Sequence, residues 1–358
     1  MIDWHIPYLT ADVAGIGGVI RTVPEDFRVE EVPAYEPCGA GEHTYFRVEK
    51  RDLSTPALIR QVADALGVPQ RDVSCAGLKD ARAVAEQTLS VHGVPPERVL
   101  ALELDRARVL WARLHTNKLR TGHLRGNRFT LRIREVAPGA ASRAEAILAR
   151  LAERGVPNGY GVQRFGNAGD NHEIGLLLLR DDTEGLRARH IRRPSKRMRG
   201  FYVSALQSAL FNRVLTLRLD RGVMDGLLLG DIAKKQDTGG LFTVEDVAAE
   251  RPRVAAWEIS PTGPMFGYKM MAAQAEAAAL EAGVLADAGL MPEDFRPVRA
   301  RGTRRPLRYL PEGLTWAMEG ADVLRVAFFA PKGSYATMLL RELMKAETVL
   351  DEDDDDTA

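Results

Sequence analysis

The chain has 358 residues, 45% hydrophobic and 27% charged, which is enough to bury a sizeable core and predicts two domains rather than one small one. Two cysteines, Cys38 and Cys75, with no CxxC spacing exclude a disulfide framework, argue against structural zinc and fit a reducing compartment. No basic segment with an apolar core opens the chain and no run of about 18 apolar residues occurs, so neither secretion nor a membrane span is expected, and the chain reads as cytoplasmic.

The formal net charge of zero hides an asymmetry: residues 351–358 hold six acids and no base, leaving 49 basic against 43 acidic side chains, a net +6, over residues 1–350. An acidic tail of this kind cannot bury apolar surface and is expected to be disordered.

Residues 1–20 combine Trp4, His5, Pro7 and Tyr8 with glycines at 15, 17 and 18, an ordered lead-in followed by a loop. A phosphate-cradling glycine loop needs a strand before it and a helix after it. Here Val19–Thr22 reads as a strand and Pro24–Asp26 as a turn, so the glycines are structural. Phe27–Val32 and Thr44–Glu49 alternate in the manner of strands, with Pro37, Gly39 and Gly41 turning the chain between them. Thr55 before Pro56 predicts an N-cap, and Leu58, Ile59, Val62 and Leu66 form one helical face up to Gly67.

The stretch Ser74–Gln87 places one carboxylate, Asp80, beside Lys79 and near Arg82, just after Gly77, where a backbone or ligand can approach closely. An acid among cations is either a working group or a solvated surface pair. Thr88–Val91, Val109–Leu114 and Phe129–Arg134 read as strands. Between the last two, His115–Arg128 is a basic connection containing Lys118 and Arg120, a solvated loop or a phosphate-contacting one.

Ser142 opens a helix through Ile147, Leu148 and Leu151 that Gly155 stops. The turn-rich stretch Gly155–Gly166 marks a domain boundary. Residues 187–200 hold Arg187, Arg189, Arg192, Arg193, Lys196, Arg197 and Arg199 without an acid, and Phe201 and Tyr202 follow. Guanidinium groups beside aromatics suit a polyanion with stackable bases, and a basic helix end or linker is the plainer reading. A helix is predicted over 203–219 and a long alanine-rich one over 269–290, with turns at Gly230-Asp231 and over 259–264. A strand over 323–329 and a helix opened by Ser334 and running through Met344 close the chain.

The seven histidines show no HxxxH or HExxH spacing, GxSxG is absent, and no cofactor motif or metal site is visible. A methyltransferase would need a cofactor loop between strand and helix, a setting the glycines at 15–18 lack.

Four segments in order carry a family resemblance: Pro24-Glu25-Asp26-Phe27 with Val29; Gly77-Leu78-Lys79-Asp80 with Ala83, Glu86 and Gln87; Gly155-Val156-Pro157-Asn158 through Gln163-Arg164-Phe165-Gly166; and Pro331 with Gly333-Ser334-Tyr335-Ala336-Thr337. The chain resembles the TruD family of tRNA pseudouridine synthases over nearly its whole length. It departs at Gly159-Tyr160, where the family usually has two aromatics, and at Arg21, where relatives often carry Lys. Arginine keeps the charge and can bind a carboxylate bidentately.

The resemblance implies an α+β fold: a pseudouridine synthase catalytic domain on a curved mixed or antiparallel sheet, formed by 1–155 with 300–350 and interrupted by an inserted α/β domain at 156–299. It also implies an isomerase that acts on tRNA, with the D-arm uridine at position thirteen as target, as a monomer and without cofactor or metal. Asp80 would be catalytic, adding to the base or the ribose or acting as a base toward a glycal. Arg21 would orient it. Asn127 and Phe129 would contact and stack on the flipped base, Phe27 and Tyr335 would wall the pocket, and Lys79 would bind substrate, with a surface phosphate contact or a simple salt bridge as its plainer reading. Lys118, Arg120, Arg192, Arg193, Lys196 and Arg197 are expected RNA-backbone contacts. A catalytically silent tRNA-binding protein or RNA chaperone of the same fold is the alternative.

Overall fold

A computed structural model describes residues 2–166, 168–192 and 194–346; the readings made at Arg193 and at 351–358 lie outside these. The chain forms two compact units. One takes Gly15–Leu148 and Pro311–Ala336; the other takes residues 2–14, Ala149–Leu310 and, among the described residues, 337–346. The sequence boundaries, 155/156 and 299/300, differ from these: the lead-in and residues 337–346 go with the second unit.

The first unit is built on a sheet of β1 (Phe27–Pro33), β2 (His43–Arg51), β3 (Val73–Cys75), β4 (Val84–His92), β5 (Ala107–His115) and β6 (Leu124–Ile133), with α1 (Thr55–Leu66), α2 (Pro96–Leu100) and the start of α3 (Ala140–Arg154). Two late strands join it, and after they are counted the order is β13-β14-β6-β1-β4-β2-β5, with β3 also paired to β4; β13 is Glu312–Met318 and β14 is Leu324–Pro331. Only β1 and β4 run parallel among the named pairs. Alternation in the sequence becomes alternation in burial: Phe27, Val29 and Glu31 are buried on β1 while Arg28 and Glu30 are exposed. Leu58, Val62 and Leu66 of α1 join Phe46, Val48, Leu89 and Val91 in one core.

Three local expectations for this unit shift. Val19 bridges Arg134, but no strand continues through residue 22, because Arg21 adopts φ 60°, which breaks the extended path. The cap of α1 is Ser54, whose side chain accepts from the Ala57 N–H at 3.3 Å, so Thr55 is the first helical residue rather than the cap. The basic connection His115–Arg128 is partly strand, since β6 begins at Leu124, and Leu119 is buried with Tyr45, Ala76 and Leu124.

The second unit follows as β7 (Val156–Pro157), α4 (Asn171–Leu179), α5 (Thr183–Ala188), α6 (Lys196–Asp220), β8 (Ile232–Lys235), β9 (Leu241–Thr243), α7 (Val247–Ala255), β10 (Ile259–Met265), α8 (Ala275–Asp287), β11 (Thr303–Pro306), β12 (Arg308–Tyr309) and α9 (Ala336–Met344). Its four-stranded sheet runs β11-β10-β8-β9. Leu206, Leu210 and Val214 of α6 are buried with Leu280 and Val284 of α8 and with Phe295.

Residues 259–264, expected as a turn because of their prolines, are a strand. Ile259–Pro261 pair only with β8 and Thr262–Met265 only with β11, so each half has one ladder neighbour and Pro261 and Pro264 are tolerated as on an edge. The helix expected over 269–290 is shorter, because Lys269 and Gln274 donate their N–H groups to Arg301 and Gly230 instead. The last helix begins two residues beyond Ser334. The family departure at Gly159 has a cause in this chain: a Cβ there would lie 2.0 Å from Cδ1 of Ile6, so the isoleucine takes the space a larger residue would need.

Candidate active site

Asp80 sits in the loop between β3 and β4. Arg21 Nη2 donates to its Oδ1 at 2.6 Å, with the arginine side chain 9% exposed and the aspartate 34%. Guanidinium and carboxylate thus form a charge-assisted bond at the edge of the interior, where solvent weakens it less than on an open surface. Arg21 pays for this placement with a left-handed backbone, φ 60°, a conformation that costs a non-glycine residue of order 1–3 kcal/mol and persists where its surroundings hold it. What holds it is visible: besides the bond to Asp80, its Cζ lies 4.2 Å from the centroid of the Phe27 ring, within range of a cation–π contact.

Phe27 leads into an aromatic row. Its ring meets Phe129 edge-on at 6.1 Å, and Phe129 meets Phe328 at 5.5 Å. Register makes the row: Val29 lies opposite Phe129, Glu31 opposite Asn127, Phe328 opposite Phe129 and Ala330 opposite Asn127. Phe27, Phe129 and Asn127 therefore share one face of β1 and β6, because side chains two residues apart point the same way. Asn127 brings to that face a buried Oδ1 that has no hydrogen-bond partner among the described residues, and the same holds for Nε of Arg21 and Nε2 of Gln87.

The loop is anchored at the residue before Asp80. Lys79 donates its N–H to Thr55 Oγ1 at 3.0 Å, and that hydroxyl reaches Gln87 Oε1 at 3.1 Å. The Lys79 ammonium points into the sheet, where Nζ meets Glu31 Oε2 at 2.6 Å with the two side chains 4% and 1% exposed. Glu31 Oε1 also accepts the Thr88 N–H at 3.1 Å. Of the readings offered for Lys79, the salt bridge is the one this geometry matches: its ammonium faces a buried carboxylate. Ala76 O accepts the Gly122 N–H at 2.7 Å, so the basic connection is tied to the Asp80 loop.

Tyr335 follows β14 and is exposed. Arg120 is exposed, while Lys118 is half-buried and donates to Arg71 O at 2.8 Å. In the second unit Arg192, Lys196 and Arg197 are exposed, the last two in the first turn of α6, which Ser195 caps. Among the described residues no three His, Cys, Asp or Glu side chains gather as a metal ion would require, and no helix is long and apolar enough to cross a membrane. The sequence did not single out Lys50 or Glu31 and marked Thr55 only as a helix cap; each sits inside an ordinary strand or helix pattern, with no local signal of its contacts to the Asp80 loop.

The fold and site define a class: an α+β protein with an arginine-paired aspartate, Asp80, in a loop of a mixed sheet. Its backbone is similar to the crystal structure of a putative tRNA pseudouridine synthase D from Methanosarcina mazei, with TM-score 0.78 and 25% identity over 96% of this chain and 97% of that one. The family model for tRNA pseudouridine synthase D (TruD) matches residues 3–199 and 188–343. The chain belongs to the TruD family. Relatives named tRNA pseudouridine synthase D include one from Thermus thermophilus, 49% identical over 96% of this chain and 93% of its own, and one from Anaeromyxobacter dehalogenans, 48% identical over 98% and 99%.

Proposed function

We propose that this chain isomerises a uridine of tRNA to pseudouridine, at position thirteen in the D arm, with Asp80 as the catalytic carboxylate. The observation that carries the reading is the 2.6 Å pair of Arg21 with Asp80, in a unit that also leaves Nε of Arg21 and Oδ1 of Asn127 buried without partners among the described residues. Buried polar atoms left unpaired cost about 1–3 kcal/mol each. A uracil edge, with one N–H donor and two carbonyl acceptors, has the complementary groups.

In this reading the target nucleotide leaves its stack, since the glycosidic bond is out of reach inside a helix. Phe129 stacks on the base, Asn127 contacts its edge, and Phe27 and Tyr335 wall the pocket. Asp80 engages the nucleoside, C1′–N1 breaks, the uracil turns, and C1′–C5 forms; the proton lost from C5 is balanced by one gained at N1. Every atom is conserved, so no redox group or cofactor is called for. Arg21 orients the carboxylate throughout. Lys118, Arg120, Arg192, Lys196 and Arg197 contact the tRNA backbone, and the protein works as a cytoplasmic monomer.

The test is incubation of the chain with unmodified tRNA transcripts and no added cofactor, followed by carbodiimide mapping. One new pseudouridine at position thirteen is expected. No product would overturn the activity, and product only at another position would overturn the target.

A further inference from the structure

The loop carrying Asp80 is gripped from inside the sheet by a lysine outside the family motifs. Lys50, on β2, is fully buried. Its Nζ donates to the main-chain oxygen of Asp80 at 2.6 Å, to that of Lys79 at 3.3 Å, and to that of Leu53. The first two oxygens belong to the peptide units immediately after and immediately before the Asp80 Cα. Fixing both peptide planes fixes the direction in which the Asp80 side chain leaves the backbone, since the chain has only two soft dihedrals at each residue.

We propose that Lys50 is a positioning residue for the reaction, acting through the main chain of Asp80; the proposal rests on the reading of Asp80 as the catalytic carboxylate. Several features make the grip more than loop filling. An ammonium is among the costliest groups to bury, and a methionine would fill a similar volume without that cost. The grip is also opposed from another side: Thr55 Oγ1 accepts the Lys79 N–H at 3.0 Å, and the Lys79 side chain is drawn to Glu31 at 2.6 Å. The loop is thereby held from β1, β2 and the first turn of α1, and the Asp80 carboxylate leaves it to meet Arg21. Arg21 alone cannot do this, since it fixes only one end of a side chain whose origin would otherwise drift. Alignment within a reacting pair is sensitive on this scale: a misplacement of about 1 Å can cost on the order of 100-fold in rate.

The experiment compares the full chain with Lys50→Met, Thr55→Val and Asp80→Asn in single-turnover reactions on saturating unmodified tRNA, with tRNA affinity and melting temperature measured alongside. Wild type must form pseudouridine; if it does not, the activity reading falls and the positioning role with it. Given wild-type turnover, Lys50→Met is expected to lose roughly 10- to 100-fold in single-turnover rate with tRNA affinity unchanged. A wild-type rate in folded Lys50→Met, even with a lowered melting temperature, overturns the proposal, as does a loss carried by affinity instead of rate. Should Lys50→Met fail to fold, Thr55→Val keeps the volume and withdraws the opposing hydrogen bonds of the same loop. A wild-type single-turnover rate in that variant likewise overturns the proposal.

Discussion

Lys79 sends its ammonium into the sheet to Glu31, while Asp80, one residue on, presents its carboxylate to Arg21 and remains a third exposed. The difference follows from Thr55 and Lys50, which hold the main chain between them. It also makes the two lysines of the site structural in different ways. Replacing Lys79 by Met strands Glu31 as a buried, uncompensated charge, and removing one partner of such a pair costs about 3–5 kcal/mol. Urea denaturation of Lys79→Met should therefore show a loss of that size, with the salt dependence of tRNA binding unchanged. A loss below about 1 kcal/mol, the range of surface pairs, accompanied by a shallower salt dependence, would instead make Lys79 a phosphate contact.

At the scale of elements, the alternating runs were the legible ones. Phe27–Pro33 buries alternate residues over Phe27–Glu31, and a two-residue period betrays that directly, whereas His43–Arg51 buries Thr44 through Val48 without a break and is legible by its β-branched and aromatic content. β10 was hidden because Pro261 and Pro264 speak against a central strand, and only the change of ladder partner at its middle removes the objection. The length of α8 was hidden because an alanine-rich run has high helix propensity while its first residues are claimed by distant backbone groups.

α6 poses the reverse case. Its first turn holds Lys196 and Arg197 and no acid, so two charges lie at the positive end of the helix dipole, where each is unfavourable by about 0.3–1 kcal/mol. Helix stability does not explain them; the proposed tRNA-backbone contacts would. Converting Lys196 and Arg197 to Gln should leave the melting temperature the same or higher. It should also lower the slope of log affinity against log salt by about 0.9 for each phosphate contact removed. A lower melting temperature with an unchanged slope would assign the two residues to folding.

At the scale of the whole molecule, the sequence shows four motifs but not why they belong together. Residues 21, 27, 80, 127 and 129 are separated by long stretches of chain. They are gathered by the strand order β14-β6-β1-β4 and by one parallel pairing, β1 with β4, that brings the Asp80 loop to the start of β1. No local pattern encodes that order. The family resemblance supplied the residues, and the register supplied the reason that Asn127 and Phe129 share a face with Phe27. The unit boundaries were less legible, because the lead-in is bound through Glu342, which accepts from Leu9 N–H at 2.8 Å and Thr10 Oγ1 at 2.8 Å across more than three hundred residues.

The most direct measurement is pseudouridine formation by Asp80→Asn on unmodified tRNA, mapped beside the wild type, with tRNA affinity measured on the same samples. The account predicts no product from the variant, because the carboxylate that engages the nucleoside is gone, and an affinity within roughly tenfold of wild type, because binding and chemistry are carried by different groups. Pseudouridine formed by Asp80→Asn at a rate near that of the wild type would contradict it.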